Sequence, residues 1–141
     1  MGDIPKTKFV DEYFHRLPFS LTGGARSLCE LGTWDLLGEV LRQQDVDVMV
    51  VRDGQRYEAP DPTDLETARQ LSAEGYTILI RHAEKRNEHL RNLAAAFEED
   101  FHAPVNIHID ATPPGKHGFS WHYDAEDVFI IRALSTKRNN Q

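Results

Sequence analysis

The stretch PPGKHGFSWHYDAEDVF, residues 113–129, decides how this chain is read. Its Pro-Pro-Gly start is turn-forming, and the β-branched and aromatic residues at its end favour extended backbone. In an extended segment residues i and i+2 point to the same side. His122 and Asp124 therefore converge while Tyr123 turns away. An imidazole nitrogen and a carboxylate oxygen held that way can share one metal ion. With a second imidazole from elsewhere they make a facial triad that leaves positions open for other ligands. The plainer reading of the same pair is a hydrogen-bonded His–Asp couple or a solvated loop.

Working outward, VNIHIDAT (residues 105–112) alternates as a strand. Val105, Ile107 and Ile109 face one way, Asn106, His108 and Asp110 the other. Pro104 stops the preceding helix, expected over Glu84 to Phe101 with Leu90, Leu93, Ala94 and Phe97 on one face. YTILIR (residues 76–81) is a compact, buried type of strand. Before it, Asp61-Pro62-Thr63 opens a helix with Thr63 as its cap and Glu66 three residues on, ending at Gly75. Residues 46–59 predict a strand, an Asp-Gly turn and a short return strand. In residues 26–43 the leucines and Val40 recur at helical spacing, but interior glycines and Thr33 break the run, and Thr33 is placed to cap a second helix. Phe9, Tyr13, Phe14 and Phe19 are irregularly spaced and predict a short helix and loop, closed by Gly23-Gly24. Two further extended pieces are expected around Trp121 and over Asp127 to Ala133.

With 141 residues the length predicts one domain. A hydrophobic fraction of 40% with 28% charged residues is that of a globular protein. No apolar run approaches a membrane span, and the first residues, MGDIPKTKFVDEYF, lack the apolar core of a signal peptide. The single cysteine, Cys29, cannot form an internal disulfide, and a cytoplasmic setting is expected. A net charge of −7 argues against direct nucleic-acid binding, which needs a basic surface. Gly23-Gly24 and Gly115-Lys116 lack the strand-Gly-helix setting of a phosphate cradle.

The flanks of the His122–Asp124 pair carry a resemblance. Thr112-Pro113-Pro114-Gly115, then Gly118-Phe119, His122-x-Asp124 and Asp127-Val128-Phe129-Ile130-Ile131, resemble the JmjC-type cupin family of ribosomal oxygenases over residues 104–138. Those are Fe(II)- and 2-oxoglutarate-dependent protein hydroxylases. The resemblance implies an α+β fold in which N-terminal helices and strands (1–103) lead into the first part of a double-stranded β-helix, or jelly roll (104–141). It implies Fe(II) and 2-oxoglutarate as cofactors, with His122 and Asp124 as the first two iron ligands and no catalytic residue beyond the ligands. Lys137 matches the residue that pairs with the distal carboxylate of 2-oxoglutarate, and Asn106 an asparagine lining the cofactor pocket. The implied partner is a basic protein substrate such as a ribosomal protein, with neither nucleic acid nor membrane.

The chain also departs from that pattern. Arg132 stands where a glutamine is usual, Ser135 near a glycine, Asn139 at an aromatic position, and His108 where some members have a tyrosine. The third ligand is expected from a later strand, yet residues 125–141 hold no histidine. His108 and His117 are the alternative donors, while His15, His82, His89 and His102 read as surface or helix-end residues. The expectation is an N-terminal portion of a hydroxylase with an unfinished barrel, whose open strand edges favour self-association. The alternative is a catalytically inactive cupin-fold binding module, or a fragment of a longer oxygenase.

Overall fold

Asp53 and Gly54 both take left-handed backbone, with φ of 53° and 78°. That is the conformation a two-residue hairpin turn requires, and it folds β2 (Gln55–Arg56) back on β1 (Asp47–Arg52) as the sequence predicts. The computed structural model describes residues 4–119 and 122–133. The chain divides into two compact units, one made of residues up to Gly32 together with those from Phe129 on, the other of Thr33–Val128.

The second unit is a mixed α+β layer structure around an open, four-stranded antiparallel sheet. Strand β3 (Thr77–Arg81) lies inside the sheet between β1 and β4 (Ile109–Ala111), with Val50 opposite Ile78 and Ile80 opposite Ile109. Thr77, Ile78, Leu79 and Ile80 are all buried, which accounts for the unbroken apolar run in the sequence. Helices α2 (Trp34–Leu41), α3 (Leu65–Ala73) and α4 (Glu88–Phe101) contribute Leu37, Val40, Leu41, Ala68, Leu71, Leu90 and Ala94 to the same core. Each fully buried aliphatic side chain there stabilises the fold by about 1.5–3 kcal/mol.

Caps fix where these helices start. Thr33 accepts the Leu36 N–H at 3.3 Å, so the broken leucine run resolves into a 3-10 turn over Arg26–Leu31 and then α2. Helix α3 is capped by Asp64, not by Thr63. The Asp64 carboxylate accepts both the N–H and the hydroxyl of Thr67, at 2.9 and 2.8 Å, and its negative charge suits a helix N-terminus. Helix α4 starts later than its apolar periodicity predicts. A 3-10 turn occupies Ala83–Lys85, and Asn87 caps the helix by accepting the Leu90 N–H. Gly75 follows α3 with a φ of 96°.

The strand expected over residues 105–112 shortens to Ile109–Ala111. The alternation persists through it, with Val105, Ile107 and Ile109 partly covered and Asn106, His108 and Asp110 exposed. Its first half lacks a ladder because β3 ends at Arg81 and His82 turns away in left-handed backbone, φ 54°. Ile107 pairs instead with that turn. The expected extended run over 127–133 joins no strand among the described residues, and the one around Trp121 lies outside them.

In the first unit, α1 (Lys6–Glu12) buries Phe9 at the centre of an aromatic cluster. The Phe9 ring lies 5.1 Å from Phe19, 5.9 Å from Phe14 and 6.0 Å from Phe129, centroid to centroid. The irregular aromatic spacing of the N-terminus thus gives a small core of its own. Among the described residues no helix is long and apolar enough to cross a membrane.

Candidate metal centre

The path to His122 is set by the loop that follows β4. Pro113 to Lys116 forms a turn closed by the Lys116 N–H donating to the Pro113 carbonyl at 3.2 Å. Pro114 supplies its fixed φ and Gly115, at φ 69°, the left-handed position, the combination of a type II turn. The chain then runs back past the β1–β2 turn. The Asp53 N–H donates to the His117 carbonyl at 3.0 Å, and the Gly54 N–H to the Gly118 carbonyl at 2.9 Å. Phe119 next meets the His122 imidazole edge-on, at 5.7 Å between centroids.

At the end of this path the His122 Nε2 and the Asp124 Oδ2 lie 3.4 Å apart, their side chains 58% and 50% exposed. Tyr123 is 90% exposed. The expected convergence of the two donors is present, and the separation fits one ion. Donors each about 2.1 Å from a metal lie about 3.0–3.4 Å apart at right-angled to tetrahedral angles. The nitrogen and oxygen donors are also of the kinds a facial site uses. Among the described residues no third His, Cys, Asp or Glu joins them, so neither His108 nor His117 completes a three-donor group.

Asn106 is held elsewhere. Its Oδ1 lies 3.1 Å from His82 Nδ1, and because an amide oxygen only accepts, the bond places a proton on that ring nitrogen. His82 also lies 3.7 Å from Glu84 Oε1, and its ring meets that of His108 at 6.1 Å. Asp110 is exposed as a residue, yet neighbouring atoms crowd water away from its carboxyl, which raises it above the ordinary aspartate value, an effect opposed by His108. Lys137 lies outside the described residues.

Sequence reasoning missed the residues that seat the loop. In the sequence pattern Thr77 is one position of a buried strand and Gly118 part of a motif. The clue was available in Gly118 itself, a glycine that the Pro-Pro-Gly turn does not account for.

The mixed α+β fold with an open antiparallel sheet accords with part of a cupin barrel. No family model and no solved structure matches the chain at a significant level. Curated relatives do. Proteins named bifunctional lysine-specific demethylase and histidyl-hydroxylase NO66 align with most of it. The Drosophila sechellia protein is 29% identical over 143 residues, covering 94% of this chain and 22% of its own length. That of Drosophila persimilis is 26% identical over 139 residues, 92% of this chain and 20% of its own length. That of Drosophila grimshawi is 27% identical over 117 residues, 77% of this chain and 16% of its own length. The chain is a relative of these proteins, in keeping with the resemblance of residues 104–138 to the JmjC-type ribosomal oxygenase family. It spans about a fifth of the length of the relatives it matches.

Proposed function

We propose that this chain carries two ligands of an Fe(II)- and 2-oxoglutarate-dependent centre for hydroxylating a protein side chain, with a third donor from outside its 141 residues. The observation that carries this reading is the 3.4 Å separation of His122 Nε2 and Asp124 Oδ2. When bound, such a centre supplies the oxidising chemistry, with 2-oxoglutarate as the co-substrate that is decarboxylated. The protein's own work is to present the two donors on one side of an extended segment and to bind the cofactor's carboxylate. Lys137 would pair with that carboxylate as a cation. Asn106 would add its amide N–H₂, because its oxygen is engaged by His82. The relatives' name says that they act on lysine and histidine, which supports a basic protein as substrate here.

A second reading is a protein-binding module of the same fold without turnover. It is favoured by the exposure of the two side chains, 58% and 50%, where a reacting centre is shielded from water. Succinate formation from 2-oxoglutarate with Fe(II) and a basic ribosomal protein separates the two. Turnover by the chain, or by the chain joined to whatever coding sequence continues its reading frame, should vanish in His122→Ala. A folded protein that binds the basic partner but makes no succinate in either form would instead establish the binding module.

A further inference from the structure

Gly118 is the one buried position among the described residues of the loop between β4 and His122. A Cβ added to it would fall 2.6 Å from the Oγ1 and 2.8 Å from the Cβ of Thr77, well inside the roughly 3.5 Å at which such atoms rest. Gly118 is not among the glycines at positive φ, so what it provides is space and not a special torsion.

Thr77 cannot easily yield. It is 1% exposed, begins the interior strand β3, and its hydroxyl donates to Thr112 Oγ1 at 3.0 Å, tying it to the residue after β4. On the other side, the loop is held by the Asp53 and Gly54 amides on the carbonyls of His117 and Gly118. Gly118 is therefore clasped between a buried threonine and a hairpin turn. The next residue, Phe119, places its ring against the His122 imidazole.

We infer that Gly118 is a positioning residue for the His122–Asp124 pair, seating the loop on Thr77 so that Phe119 holds the imidazole in its metal-facing orientation. The inference rests on the reading of His122 and Asp124 as metal ligands. It extends that reading to a residue that bears no donor. Ligand-supporting contacts of this kind set the direction of a first ligand and tune affinity without touching the ion.

The test uses the full chain, with Mn²⁺ alone as the probe and two nuclear magnetic resonance readouts. One is paramagnetic broadening of the His122 and Asp124 signals as Mn²⁺ is added. The other is hydrogen exchange of the Asp53 and Gly54 amides, with Val50 and Leu79 reporting the core. In Gly118→Ala the Mn²⁺ midpoint should rise about tenfold. Exchange at Asp53 and Gly54 should quicken while Val50 and Leu79 stay protected. Phe119→Ala, which needs no extra space, should raise the midpoint and leave Asp53 and Gly54 protected, so the inference remains exposed to test even if Gly118→Ala does not fold. A wild-type midpoint in Phe119→Ala, or in a folded Gly118→Ala, overturns it. His122→Ala distinguishes the two levels. If the Mn²⁺ effect at Asp124 is absent from the wild type or survives that substitution, the ligand reading itself falls, and the inference with it.

Discussion

The Oε2 of Glu84 accepts the backbone N–H of Ile107 at 2.8 Å, and the Ala83 N–H donates to the Ile107 carbonyl at 2.9 Å. Both polar groups of one residue are thus satisfied by the turn that follows β3, where a longer strand would have used a ladder. Glu84 is a largely buried acid, its side chain 10% exposed, and the Ile107 amide on Oε2 and the His82 ring near Oε1 both offset that burial.

Replacing Glu84 with alanine leaves the Ile107 N–H without its acceptor. The expected cost is about 1–3 kcal/mol in a urea unfolding experiment, with faster exchange of the Ile107 amide. Glu84→Gln retains an oxygen that can accept and should lose less. Equal losses in the two variants would show that the bond contributes little.

His82 and Asn106 form a second tie between the same turn and the segment before β4. Because both groups are solvent-accessible, a double-mutant cycle of His82→Ala and Asn106→Ala should give a coupling near the low end of about 0.5–1.5 kcal/mol. Additive losses would mean the contact is not populated in solution.

These two ties show where sequence reading succeeds and where it stops. The Asp53-Gly54 hairpin, the Thr33 cap and the all-buried β3 were legible because each rests on local torsion or a short hydrophobic period. The alternation of residues 105–110 was legible too, but not the loss of its ladder. That depends on His82 turning at positive φ, more than twenty residues earlier. The closeness of His122 to Asp124 was legible too, because i and i+2 share a side in extended chain. The clasp of Gly118 by Thr77 was not, since it joins positions far apart in sequence.

Asp64 offers a test of capping electrostatics. Its pKa is lowered from 3.8 by the hydrogen bond from the Thr67 N–H, and further by the Thr67 hydroxyl. A depressed acid contributes stability above its unfolded value and loses it as pH falls through the folded one. Asp64→Asn keeps a capping oxygen but not the charge. Its thermal midpoint should lie below that of the wild type at pH 7, with the gap closing as pH drops below 3.8. A gap that persists in acid would point to lost geometry rather than lost charge.

Asp110 should behave in the opposite sense. It sits on β4 opposite Leu79, and loss of water around its carboxyl raises its pKa above 3.8 while His108 pulls it back. A raised acid favours the fold fully only below its unfolded pKa, and that advantage disappears as pH rises through the folded value. At neutral pH the charge is therefore a burden on the native state. Asp110→Asn should raise the thermal midpoint at pH 7 and make no difference well below pH 3.8, where both side chains are neutral. If Asp110→Asn instead lowers stability at pH 7, the carboxylate is better solvated or better paired on that face than its surroundings imply.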